Sequence, residues 1–173
     1  MLIKMLGSVA VLVSCSGIGL WYGNTLTMRI QQLKELRAEV LLIRGDIRYR
    51  RSSLPEAFAE AAIRSKGMFQ PLFRGISEAL AACVWESFEE AYRSVAETAL
   101  RETDLKRQDE QLLAQFAKML GQMDADMQLN ALDWYLEQSE QVLQGLTAEA
   151  EGKVRLGRSL GILSGIFLLV VLL

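Results

Sequence analysis

The chain has 173 residues, 51% hydrophobic and 23% charged, with 19 Lys and Arg set against 21 Asp and Glu. That length suits one body of ordinary domain size, and a formal charge of -2 supplies no bulk basic excess for holding nucleic acid. With no histidine and only two cysteines, Cys15 and Cys83, the chain lacks the usual neutral-pH proton shuttle and cannot build a disulfide scaffold or a Cys-rich zinc site.

Met5 to Met28 carries no charged side chain. Its apolar part, Met5 to Tyr22, spans roughly 27 Å as a helix, close to the ~30 Å hydrocarbon thickness of a bilayer. Trp21 and Tyr22 stand at its edge, where amphipathic rings prefer the membrane interface. The far end, Ser159 to Leu173, is a second uncharged run of about 22 Å. Both are expected to be transmembrane helices, giving an N-terminal segment at 1–25, a helical body at 26–158 and a C-terminal segment at 159–173. A cleaved signal peptide is an alternative for the first run. A lipoprotein signal is another, because Leu12-Val13-Ser14-Cys15 resembles a lipobox. Apolar character persisting through Ile18, Leu20 and Trp21 favours a retained anchor.

Lys and Arg near the runs set the expected orientation. Arg29, Lys34, Arg37 and Arg44 follow the first run, Lys153, Arg155 and Arg158 precede the last, and only Lys4 lies outside. This places the body in the cytoplasm and both termini outside. Gly19 and Gly23 form a small-xxx-small pair, and Gly157, Gly161 and Gly165 repeat that spacing. Such spacing lets another helix backbone approach closely.

Within the body, Ile30, Leu33, Leu36, Val40, Ile43 and Ile47 recur at helical intervals, so a helix is expected over Arg29 to Arg51. Ser52-Ser53-Leu54-Pro55-Glu56 breaks it, and Ser53 with Glu56 is a capping-box pattern. A second helix is expected over Leu54 to Lys66 with Gly67 as its C-terminal cap. Gln70-Pro71 marks the next turn. Leu72 to Cys83 and Trp85 to Leu100 follow, as one broken helix or two. Thr103 or Asp104 then caps a helix reaching Leu120. Asp124 caps the last helix, where Leu129, Leu132, Leu136, Ser139, Leu143 and Leu146 form a seam suited to bundle or coiled-coil packing. No stretch alternates long enough to demand a strand. The expected fold is all-α: a bundle of about five or six helices flanked by the two transmembrane helices.

No catalytic, cofactor or metal constellation emerges. A phosphate loop with Lys-Ser/Thr is absent, so the chain is not expected to hydrolyse ATP itself. Glu86, Glu89 and Glu90 read better as a solvated face than as metal ligands. The cluster Arg44, Arg48, Arg50 and Arg51 stands apart. Arg44, Arg48 and Arg51 share a helix face by spacing. One reading is a solvated face partly paired to Asp46; the other is a docking patch for an acidic partner surface.

Three motifs occur in order: Ile47-x-Tyr49 followed by Leu54-Pro55-Glu56-Ala57-Phe58; Leu120-Gly121-x-x-Asp124-x-x-x-Gln128; and Leu160-Gly161-x-x-x-Gly165 before an aliphatic end. On these the whole chain resembles the stage III sporulation protein AB family. It departs at Ser52-Ser53, where the family more often has Thr-Pro, which changes the turn. The resemblance implies a cytoplasmic helical domain similar to that of the type II secretion inner-membrane platform protein. It also implies a place in the channel joining mother cell and forespore, in the mother-cell membrane that engulfs the forespore. The implied partners are a cytoplasmic secretion-type ATPase and other channel membrane proteins; a homo-oligomer stays open. The competing expectation is a membrane-tethered coiled-coil adaptor, or a lipoprotein, with no secretion role.

Overall fold

A computed structural model of the chain describes residues 25–82, 87–121 and 124–172, the last stretch as backbone alone from 153 onward. Gln31–Leu143 forms one compact unit, and the stretches on either side of it in sequence form a second. The described residues are helical with no strand. We number the helices α1 (25–45), α2 (Leu54–Arg64), α3 (Gln70–Ala81), α4 (Phe88–Ala99), α5 (Arg107–Leu120) and α6 (Ala125–Leu172). α1 ends in a π-helical turn, Asp46–Arg50.

The expected stripe on α1 is the one that enters the core. Leu33, Leu36, Val40, Ile43 and Ile47 are all buried. Each such side chain contributes roughly 1.5–3 kcal/mol on leaving water. From α6, Leu132 and Leu136 join the same buried cluster, and Leu143 is buried as well, with Leu129 half-buried. The polar break in that seam, Ser139, is fully buried, and its hydroxyl donates to the Leu136 carbonyl at 3.0 Å. Burial without such a partner would cost about 1–3 kcal/mol.

Two ion pairs show that α1 and α6 run antiparallel in the Gln31–Leu143 unit. Arg37 pairs with Glu140 at 3.1 Å, and Arg44 pairs with Asp133. Seven residues forward on α1 correspond to seven residues backward on α6, which is two turns on each.

α2, α3, α4 and α5 pack as successive neighbours. Phe58 of α2 meets both α3 and α4, with ring centroids 6.2 Å from Phe73 and 5.3 Å from Phe88. On the α5–α6 side, Phe116 lies 4.8 Å from Tyr135. Burial pushes the Tyr135 and Tyr92 phenols up, so both stay neutral. Gly75 lets α3 and α4 approach closely, since a Cβ there would run into the Val95 side chain.

The helix starts follow local chemistry. Ser53 opens α2, with its N–H donating to the Glu56 carboxylate at 2.9 Å. That bond holds the Glu56 pKa below its ordinary value. Asp124 precedes α6 and accepts from the Asp126 N–H at 3.4 Å. Pro71 lies in the first turn of α3, where its missing N–H costs nothing.

Three expectations need correction. α2 stops at Arg64 with Ser65 as its cap, and no described glycine, Gly67 included, adopts the left-handed conformation. Neither Thr103 nor Asp104 caps α5. Lys106 does, its N–H donating to Asp109 at 2.8 Å. Asp104 is instead tied to α1: its N–H donates to Gln32 Oε1 at 2.8 Å and its carboxylate accepts from Gln32 Nε2 at 3.0 Å. A carboxylate satisfied by a distant amide has no need of a helix terminus. The helix expected over Arg29 to Arg51 yields to the π turn over its last residues.

No helix among the described residues is long and apolar enough to cross a membrane. The first expected span lies outside the described residues. The second run, 159–173, has helical backbone through Leu172, but its 15 residues are fewer than the roughly 20 a span requires.

Gly75→Ala is expected to lower stability by about 1 kcal/mol. The overpacking cost of ~1–3 kcal/mol exceeds the ~1 kcal/mol helix gain. In a Val95→Ala background the same change should become stabilising; urea melts of all four chains decide it. Arg44→Glu should cost roughly 1 kcal/mol by setting a second carboxylate against Asp133, and adding Asp133→Arg should recover most of it. Thermal melts at low salt provide the reading.

Candidate interaction surface

The α1–α2 turn is organised by Asp46, which is buried. Its carboxylate accepts from Arg50 at 3.2 Å and from Arg64 at 3.0 Å. Its backbone carbonyl accepts the N–H groups of Arg51 and of Ser52, the latter at 3.2 Å. Glu39 stands 3.9 Å from Arg64. Burial raises the Glu39 pKa, against the pull of that guanidinium. Arg64 therefore ties α2 to one side of α1.

The four arginines of the sequence cluster end in different situations. Arg44 faces α6 and is held by Asp133. Arg50 folds back onto Asp46. Arg48 and Arg51 are exposed, and no carboxylate among the described residues pairs with either. Arg51 has φ 54, the one positive φ among the described non-glycine residues. It terminates the π turn in a conformation that costs a side-chain-bearing residue about 1–2 kcal/mol. The spacing argument that placed Arg44, Arg48 and Arg51 on one face assumes an unbroken α-helix. The π turn widens the winding and the left-handed Arg51 ends it.

Tyr49 lies outside the arginine cluster of the sequence and is the most exposed large hydrophobic residue nearby, at 79%. The Arg48 guanidinium sits 5.9 Å from its ring centroid, within cation–π range. Leu41 and Leu42 are also about half exposed. The signal for these residues was present: Ala38, Leu41, Leu42, Gly45 and Tyr49 recur at helical intervals opposite the core stripe. A helix with apolar residues on two opposite faces has more apolar surface than one core contact uses.

The seam positions Leu132, Leu136 and Leu143 are buried within the Gln31–Leu143 unit, and Leu146 is buried in the second unit. Gly161 and Gly165 lie on the α6 backbone; Gly19 and Gly23 lie outside the described residues. A shallow groove between α5 and α6 is lined by Gln108, Gln111, Gln115 and Gln138 with Asp109, Leu112 and Val142. Its amides donate and accept hydrogen bonds, and Asp109 accepts from the Lys106 N–H at 2.8 Å. Among the described residues no group of three His, Cys, Asp or Glu is placed to hold a metal ion.

Comparison with known proteins adds three findings. The solved structure of stage III sporulation protein AB (SpoIIIAB) superimposes with a TM-score of 0.63 at 24% identity, covering 73% of this chain and 96% of that one. This likeness shows the fold. Stage III sporulation protein AB of Bacillus subtilis (strain 168) is 26% identical over 181 aligned residues, covering 99% of this chain and 100% of that protein. The family model for Stage III sporulation protein AB matches residues 4–173, nearly the whole chain with all three motifs, and the chain therefore belongs to the stage III sporulation protein AB family.

Proposed function

We propose that this member of the family is a non-enzymatic platform in the mother-cell membrane engulfing the forespore, with its helical body in the cytoplasm. In this role it docks a cytoplasmic secretion-type ATPase and links it to other membrane proteins of the mother cell–forespore channel. The observation that carries the docking reading is the exposed pair Arg48 and Arg51 beside Tyr49. Guanidinium forks free of internal carboxylates suit an acidic protein surface. Membrane attachment is supported by the two uncharged runs, Met5 to Met28 and Ser159 to Leu173, and by the Lys and Arg that follow the first and precede the second.

A coiled-coil adaptor is less well supported. The part of the α6 seam in the Gln31–Leu143 unit is already buried there, so it offers little to another chain. The conformation of Arg51 favours docking in a further way. Strained residues persist where the side chain serves a purpose that glycine would not.

Charge reversal of Arg48 and Arg51 to Glu together should cut co-purification of the ATPase at least tenfold, with circular dichroism unchanged. Unaltered capture would remove this site from the docking surface. Arg51→Gly removes the φ penalty, so it should raise stability by about 1 kcal/mol. That corresponds to a melting temperature higher by roughly 2–4 °C. The same variant should weaken ATPase capture. A more stable chain that binds the ATPase as well as before would leave Arg51 with a local structural role only.

A further inference from the structure

α1 is enclosed on three sides within the Gln31–Leu143 unit. Its core stripe lies behind, α6 flanks it through Arg37–Glu140 and Arg44–Asp133, and α2 flanks it through Arg64. The fourth side is open and has an ordered composition. Ala38 and Gly45 form a central row of small residues seven apart, and a Cβ at Gly45 would meet nothing within 4 Å. Lys34 and Leu41 form the row on one side, again seven apart, and Arg48 follows on the π turn. Glu35 and Leu42 form the row on the other, and Tyr49 follows on the π turn. Leu41 is 48% exposed and Leu42 47%. Two leucines bordering a row without bulky side chains is the relief that accepts a helix laid lengthwise.

We propose that this face seats an amphipathic helix of a partner protein, with the apolar side of that helix along the Ala38–Gly45 row and its carboxylates at the Arg48 and Arg51 end. The inference rests on the docking reading in taking those two arginines as contacts. It goes further in giving the occupant a shape, a direction and an apolar anchor.

Charge selects this occupant over a second copy of the chain. A two-fold contact uses the same patch on both copies. Parallel pairing brings Arg48 and Arg51 of one copy against those of the other. Antiparallel pairing sets the edge of Lys34 and Leu41, with Arg48 beyond it, against the same edge of the other copy. Both arrangements gather exposed cations, with Glu35 the one carboxylate in these rows to offset them, and like charge is destabilising between neighbouring helices. An acidic helix end meets the arginines without that cost.

The test places benzoylphenylalanine at Leu42 or at Gly45 of the full-length chain in living cells, with Glu97 on α4 as the exposed control site. Irradiation should yield protein adducts from Leu42 and Gly45 and none from Glu97. Peptide mapping should locate them on a helix whose carboxylates lie next to its contact with Tyr49. Arg48→Glu with Arg51→Glu should lower the yield at least fivefold. A dimer of this chain, a lipid adduct, an adduct on a segment without acidic residues, or a yield no higher than at Glu97 would each overturn the inference. If reversing the arginines abolishes ATPase capture while both probes stay silent, only the helix proposal fails. If the adducts map to an acidic helix of another protein, the ATPase assignment fails and the helix proposal stands.

Discussion

The antiparallel contact between α1 and α6 is the constraint on which the Gln31–Leu143 unit is arranged. Its energy comes from the apolar side chains. Leu36, Val40, Ile43, Leu132 and Leu136 are buried together, at roughly 1.5–3 kcal/mol each. The pairs Arg37–Glu140 and Arg44–Asp133 are partly exposed and contribute no more than about 1 kcal/mol apiece. Their effect is on register: they match two turns of α1 to two turns of α6, and any slip by one turn separates both. Ser139 sits at the one position where a larger apolar group would have been the simple choice, and its hydroxyl is satisfied within its own helix.

This division between energy and register explains why an arginine-rich stretch serves two purposes. Arg44 belongs to the packing because Asp133 reaches it across the helix pair. Arg50 belongs to the turn because Asp46 needs compensation where it is buried. Arg48 and Arg51 are left over once the internal carboxylates are used. The π turn sharpens the separation, since it ends α1 within reach of Asp46 and leaves Arg51 in a left-handed conformation that a glycine would hold at lower cost.

The open face of α1 presents several chemistries side by side. It combines a fixed helix face, apolar groups of modest size and a pair of guanidinium forks. A groove between α5 and α6 adds four glutamine amides and the Asp109 carboxylate to the described surface.

The sequence by itself determined that the body is helical. The 3.6-residue recurrence from Leu33 to Ile47, the Ser53–Glu56 box, Pro71 in a first turn and Asp124 before the last helix are all local signals, readable over a few residues. Its motifs also identified the family. Tertiary structure alone decided which arginine is spoken for, because the partner of Arg44 lies 89 residues away and spacing within a helix says nothing about what faces it. It likewise decided that Asp104 binds Gln32 and leaves the α5 cap to Lys106. Periodicity shows that two faces of α1 are apolar; only the packing of α2 and α6 on either side shows which of them stays open.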